Sequence, residues 1–263
     1  MSAMTERFRA LHSKGTFLMP NPWDLGTARF LESLGFPALA TTSWGLAASL
    51  GRPDQTVTRD EILAHTAALV ATISVPLNID SERCYADDLA GVTKTVRLLG
   101  EAGAAGCSIE DYNPVTRAID PIELATERVA AAAEGAKESG LVLTARAENP
   151  FYGFHDLDDT IARLCSYRDA GAEVMYAPGL VDPDQIARVV AETGAPVNVL
   201  ARSNGPTVNQ LGELGVRRIS TGGAIARASF DLLNRAAREL LDQGTSSYTI
   251  GTLTADDYKR AFG

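Results

Sequence analysis

Short apolar runs recur at regular intervals along the chain. Between them lie longer stretches in which apolar residues return every three or four positions. The runs Phe17–Pro20, Ala38–Thr42, Leu77–Asp80, Cys107–Glu110, Leu141–Arg146, Glu173–Tyr176, Val197–Ala201 and Arg218–Thr221 are short and bounded by turn residues, as strands buried on both faces are. The segments Arg59–Ile73, Leu89–Ala102, Ile122–Ser139, Leu157–Ala170 and Pro183–Glu192 have the spacing of amphipathic helices. Several helix-to-strand junctions share one form, a glycine followed by a small or apolar residue: Gly35-Phe36, Gly103-Ala104, Gly171-Ala172 and Gly215-Val216. Glycine there suits the left-handed position that ends a helix. Strands alternating with helices through tight turns imply parallel strands joined by right-handed crossovers, and eight of them close a (β/α)8 barrel. An open doubly wound sheet is the alternative, but no G-x-G-x-x-G follows the first strand.

The 263 residues suit one barrel domain over 1–243, followed by a tail, 244–263, whose Ala255–Phe262 segment reads as a short helix that docks on a neighbouring subunit. A net charge of −9 argues against nucleic acid or anionic lipid as partner and means that an anionic substrate needs a local cation. The three cysteines, Cys84, Cys107 and Cys165, form no metal-ligand spacing, and Cys107 reads as core. With no apolar leader at the N-terminus and no span-length apolar run, the expected location is the cytoplasm.

In such barrels the chemistry sits at the carboxyl ends of the strands. Read there, Asp80 and Glu82 follow strand three, Glu110 and Asp111 strand four, and Arg146 and Glu148 strand five; strand six ends at Tyr176 and strand seven brings Asn198. Carboxylates this close repel unless a proton or a cation relieves them. Hard oxygen donors without His or Cys favour Mg2+, with Mn2+ as an alternative, over zinc. Arg146 is placed to grip a substrate carboxylate; the plainer reading is an ion-pair network around it. None of the four lysines follows a strand, which argues against Schiff-base chemistry. His155 is the one histidine in a loop after a strand, and Gly222-Gly223 reads as a tight turn before a phosphate cradle.

The residues that carry a resemblance are Asn21-Pro22-Trp23-Asp24, Thr42-Ser43-Trp44-Gly45-Leu46 with Gly51 and Asp54 beyond, Asp80-Ser81-Glu82, Gly103-Ala104-Ala105-Gly106 leading to Ile109-Glu110-Asp111, and Thr144-Ala145-Arg146-Ala147-Glu148. In order and spacing over residues 15–240 they resemble the isocitrate lyase/phosphoenolpyruvate mutase superfamily. The resemblance implies a barrel whose last helix swaps between subunits, a homotetramer or dimer, and Mg2+ holding a 2-oxo acid or its enolate. It implies Asp80, Glu82 and Glu110 as metal ligands, direct or through water. It implies Ser43, Trp44, Gly45, Leu46, Arg146 and Asn198 as substrate-binding residues, and Arg146, Glu110 and Asp54 as catalytic ones.

Departures shape the expected reaction. The Lys-Lys-Cys-Gly-His loop of the lyases is absent. Glu110-Asp111-Tyr112-Asn113-Pro114 lacks the lysines of the phosphonate mutases, and Glu82-Arg83-Cys84-Tyr85-Ala86 lacks the usual glycines. Cys84, His155 and Tyr176 are the candidates left for an acid or base. The Tyr112–Asp120 loop is the expected gate. The expected activity is Mg2+-dependent cleavage of a C–C bond beside a pyruvate-like unit of a small 2-oxo or 2-hydroxy dicarboxylate, oxaloacetate-like or methylisocitrate-like. Phosphonomutase or phosphonopyruvate hydrolase chemistry is the alternative, and a metabolite-binding barrel without turnover the non-enzymatic one.

Overall fold

A computed structural model describes residues 2–263. Helix α1 (Ala3–Leu11) precedes the first strand. Then follow β1 (Phe17–Met19), α2 (Leu25–Ser33), β2 (Leu39–Ala40), α3 (Ser43–Ser49), α4 (Arg59–Val70), β3 (Leu77–Asp80), α5 (Leu89–Glu101) and β4 (Gly106–Glu110). A small hairpin, β5 (Tyr112–Asn113) and β6 (Ala118–Ile119), leads to α6 (Ile122–Ser139) and β7 (Val142–Arg146). The chain continues through α7 (Leu157–Asp169), β8 (Val174–Tyr176), α8 (Pro183–Thr193), β9 (Val197–Leu200), α9 (Val208–Glu213) and β10 (Arg218–Ser220), and ends in α10 (Ala224–Gln243) and α11 (Ala255–Phe262). Eight parallel strands pair in the order β1-β10-β9-β8-β7-β4-β3-β2, and the Ala40 N–H bonds the Pro20 carbonyl at 3.1 Å where β1 meets β2. The expected (β/α)8 barrel is the fold found.

Alternation along the strands sorts the core into two parts. Leu39, Ile79, Cys107, Ile109, Leu143, Met175, Val197, Val199 and Ile219 face outward and pack under the helices. Phe17, Met19, Ala38, Ala40, Val142 and Val174 face the lumen, with Phe8 of α1 buried among them. Helix α1 thus plugs the amino-terminal end of the barrel. Phe8 and Phe17 both meet the His12 ring edge-on. Gly106 makes room for this plug: a Cβ there would lie 2.6 Å from the Phe8 ring and 2.8 Å from the Val142 carbonyl oxygen. The opposite end stays open to chemistry.

The junction glycines 35, 103, 171 and 215 all take positive φ, as their helix-stop role requires. Each of the eight strands falls inside its expected run or within one residue of it. The Tyr112–Asp120 loop is a folded hairpin, with Tyr112 opposite Ile119. The tail helix α11 packs on α2 of its own chain and buries Ala261 there. Helix α10 does not lie back on the barrel as the other helices do. Over 20 residues it buries only Ala226, and it leaves Leu232, Leu233, Leu240 and Leu241 exposed.

Candidate active site

The last residues of β3, β4, β7 and β8 are Asp80, Glu110, Arg146 and Tyr176, and all four point into the mouth of the barrel. Their register follows from pairing: Glu110 lies opposite Arg146, and Arg146 opposite Tyr176. Arg146 is the hub. Its guanidinium reaches Asp80 at 2.7 Å, Glu148 at 2.7 Å and Glu110 at 3.1 Å, and its carbon sits 5.6 Å from the centre of the Tyr176 ring. The ion-pair network that the sequence allowed is therefore present, and in this arrangement the guanidinium faces the protein's own carboxylates.

The backbone around the hub is held tightly. The Ser43 N–H, at the start of α3, donates to Asp80 Oδ2 at 2.9 Å, and the Asp80 N–H donates to Thr41 Oγ1. Gly45 brings α3 under Trp23, where a Cβ would lie 2.8 Å from the Trp23 Cβ. The turn after β3 carries three non-glycine residues at positive φ, Glu82, Cys84 and Tyr85. Each such residue costs on the order of 1–3 kcal/mol, which the surroundings must offset. Arg128 of α6 does much of this. It is 2% exposed and donates to the carbonyls of Arg83, Ala86 and Asp87. Arg83 in turn pairs with Asp120 at the foot of the hairpin, 2.7 Å away.

Charge is out of balance here. Asp54, Asp80, Glu82, Glu110 and Glu148 surround one guanidinium. Burial, with Asp80 and Asp54 nearby, pushes the Glu82 carboxyl up to about 8. Burial raises Glu148 to about 7 although Arg146 opposes it, and raises Glu110 well above its ordinary value for the same reason. Asp54 is raised by burial and by Asp80, with Ser43 hydrogen-bonded to it. Glu82 Oε1 is buried with no hydrogen-bond partner.

Asp80, Glu82 and Glu110 do not close directly around one point. Among the described residues no group of three His, Cys, Asp or Glu side chains is gathered tightly enough to hold an ion. The donor chemistry nonetheless fits a small hard dication. Mg2+ keeps several waters and needs only one or two carboxylates, and an orphaned, buried carboxylate oxygen is an acceptor for such a water.

Other expected residues fall differently. Asn198 is 1% exposed, and its amide is engaged below the mouth, accepting from Arg218 and donating to Ser220. The Trp44 ring faces Arg227 and Phe230 of α10. Cys84 is buried beside Ser81, its thiol pushed up to about 12 by burial, a poor proton donor. His155 lies exposed in the loop after β7. The Gly222 N–H is taken by Asn21 Oδ1, which makes the glycine pair a turn.

Three residues escaped the sequence reading. Gln55, at positive φ, donates its amide to Glu110 Oε1 at 3.0 Å. Tyr85 places a buried, unpartnered hydroxyl near Glu82 and Asp80. Tyr152 stacks on Tyr112, ring centres 3.9 Å apart, and burial together with Glu110 and Glu148 raises its phenol. Only the aromatic character of Tyr112 and Tyr152, in two loops at the same end of the barrel, was a usable signal.

A solved structure from Burkholderia cenocepacia J2315, described provisionally as a lyase/mutase, superposes with a TM-score of 0.94 at 47% identity, over 98% of this chain and 96% of that one. An uncharacterized protein of Mycobacterium tuberculosis is 35% identical over 238 residues, 89% of each chain. An oxaloacetate decarboxylase of Bradyrhizobium sp. (strain ORS 278) is 29% identical over 205 residues, 75% of this chain and 69% of that one. No helix among the described residues is long and apolar enough to cross a membrane. The model of the phosphoenolpyruvate phosphomutase family matches residues 8–241, a span that holds every strand of the barrel and the whole carboxylate mouth. The chain therefore belongs to that family, within the isocitrate lyase/phosphoenolpyruvate mutase superfamily.

Proposed function

We propose that this protein is a Mg2+-dependent lyase that cleaves a C–C bond beside the oxo group of a small 2-oxo or 2-hydroxy dicarboxylate, with decarboxylation of an oxaloacetate-like acid as the leading case. One observation carries the reading: five carboxyl groups face a single guanidinium, and one of them, Glu82, is buried with an oxygen that nothing in the protein satisfies. Asp80 would hold the dication, with Glu82 and Glu110 binding its waters. When bound, it supplies Lewis-acid polarisation of the substrate's oxo group.

The protein's own groups do the rest. Arg146 fixes Asp80, Glu110 and Glu148 in one orientation, so the mouth is preorganised before substrate arrives. The first turn of α3, Ser43 to Leu46, lies beside Asp80 and offers a wall against which a substrate carboxylate can sit. The Tyr112–Tyr152 stack lies near Glu110 and Glu148, where it can exclude water from the reacting centre. Loss of CO2 leaves an electron pair that the adjacent oxo group delocalises, and the departing group needs no proton. That suits a site without the lyases' cysteine loop and without a lysine in Glu110-Asp111-Tyr112-Asn113-Pro114. The exposed leucines of α10 favour an oligomer in which this helix packs on another subunit's barrel.

The test is direct. The protein is incubated with Mg2+ and, separately, oxaloacetate, 2-methylisocitrate, dimethylmalate, phosphonopyruvate and phosphoenolpyruvate. Pyruvate should form from a dicarboxylate and cease with EDTA. Phosphate from phosphonopyruvate would replace this reading with the phosphonate alternative. Binding without turnover of any of them would leave a metabolite-binding barrel.

A further inference from the structure

The turn that carries Glu82 is kept in an unfavourable shape by a charge that lies outside it. Between Ser81 and Asp88, the residues Glu82, Cys84 and Tyr85 take φ of 47°, 62° and 51°, and glycine stands at none of the three positions. Left to itself such a turn returns to right-handed or extended backbone, where a side chain other than glycine meets no clash. Its first residues are fixed to the barrel. The Glu110 N–H donates to the Glu82 carbonyl at 3.0 Å, and the Ser81 hydroxyl donates to the Ser108 carbonyl. Its last residue, Asp88, caps α5. The residues between need a hold of their own.

Arg128 provides it. This residue shares the buried face of α6 with Ala125, Val129 and Ala132, a place that ordinarily takes an apolar side chain. Its Nη2 donates to the Arg83 and Ala86 carbonyls at 2.7 Å each, and its Nη1 to the Asp87 carbonyl at 3.1 Å. Among the described residues its hydrogen bonds all end on main-chain oxygens of this one turn. A buried guanidinium bonded only to neutral carbonyls is costly. An apolar residue would avoid that cost and leave three carbonyls unmet. Cys84 and Tyr85 lie between the two carbonyls that share Nη2, so the clamp closes only while both keep positive φ. The Arg83 side chain adds a second tie, to Asp120, but through a side chain and not the main chain. Glu82 is therefore held by β4 on one side and by Arg128 on the other, and it enters the mouth with Oε1 buried and unpartnered.

We propose that Arg128 is the positioning residue of Glu82: it keeps the β3–α5 turn in its left-handed form and so sets the affinity of the mouth for Mg2+ without touching the ion. The proposal rests on reading Glu82 as an acceptor for the waters of the bound dication. Residues that orient a ligand from behind act on metal affinity in this way, because the ligand no longer has to be ordered when the ion arrives.

The experiment uses the full chain, with Mg2+ affinity measured calorimetrically, folding by circular dichroism, and the turn by hydrogen exchange in EDTA. The reporters are the Cys84 amide, bonded to the Ser81 carbonyl, and the Glu110 amide, bonded to the Glu82 carbonyl. Arg128→Met should fold, exchange both amides faster than wild type, and bind Mg2+ about tenfold or more weakly. Glu82→Gln should also weaken Mg2+, and in that background Arg128→Met should cost nothing further, since the clamp acts only through Glu82. Arg128→Lys keeps the cation without the planar fork, so it should fall between wild type and Arg128→Met, and it carries the same comparison with Glu82→Gln if Arg128→Met does not fold. Additive losses, or unchanged exchange of both amides in the Arg128 variants, overturn the clamp. Wild-type Mg2+ affinity in Arg128→Met beside a weakened Glu82→Gln overturns the clamp alone, whereas an unmodified protein with no affinity for Mg2+ removes the metal reading and the role of Arg128 with it.

Discussion

Replacing Arg146 with methionine tests how the mouth is built. The substitution keeps the length and removes the charge. It strands Asp80, Glu110 and Glu148, whose side chains are 18%, 4% and 2% exposed. Removing one partner of a buried ion pair costs about 3–5 kcal/mol. The three carboxylates share one partner, so the loss should be counted once, near that range, rather than three times. The pH dependence fixes its origin. Arg146 opposes burial at Glu148, which nevertheless sits at about 7. Without Arg146 the carboxyls shift further above their unfolded values. A group raised in the folded state contributes fully below its unfolded value and loses that contribution as pH rises through the folded one. In EDTA the deficit should therefore be small at pH 5 and full at pH 8, measured by urea denaturation against wild type. Mg2+ at a hundredfold excess over its Kd should return about 2.7 kcal/mol, because stranded carboxylates bind the ion only in the folded state. A deficit that is the same at both pH values, or below about 1 kcal/mol at pH 8, would refute the hub.

Other perturbations probe the plug, the metal and the unpartnered helix. Burial and Arg218 push His12 down to about 3, so the unfolded chain takes up the proton first and stability falls as pH drops below 6.5; His12→Gln should remove about 3 kcal/mol of that fall by pH 4, seen as converging denaturation curves, whereas parallel curves would mean that the ring is not held neutral. Asp80→Ala should abolish Mg2+ binding in calorimetry and pyruvate release together while circular dichroism stays native, and retained turnover would remove Asp80 from the metal. Leu233→Glu with Leu241→Glu, on the exposed stripe of α10, should lower the mass found by light scattering to that of one chain, and an unchanged mass would place the subunit contact elsewhere.

Short apolar runs for the strands and a 3.6-residue period for the helices made the barrel legible, since burial on both faces and helix amphipathicity leave their mark in residue order. Helix α1 was harder to see. Its sequence, AMTERFRAL, is short and carries three charges, and the reason for it is Phe8, which only makes sense once β1 and Gly106 have closed a lumen around it. The acidic residues of the mouth were legible because strand ends in this topology must meet. Gln55 was not. It reaches Glu110 from a long connection, through a left-handed backbone that no local pattern in Arg52–Thr56 announces. Asn198 was read from its strand end as a substrate contact, but the register turns it into the lumen beside Arg218.

That difference bears on how charge is managed in this molecule. Among exposed residues a carboxylate excess is screened by water and costs little. In the mouth it is not screened, and the protein answers with one guanidinium paired to three of the carboxylates and a second buried in the lumen. The upper one is fully engaged by protein oxygens, so it orders the site and contributes little net attraction to an incoming anion. The lower one has only neutral partners, so its field is not cancelled locally. An anion approaching the mouth thus meets ordered carboxylates, a position suited to a dication, and a positive potential from below. On this argument specificity for a small acid comes as much from the floor of the barrel as from the loops above it, and Arg218→Met should weaken oxalate binding more at low ionic strength than at high.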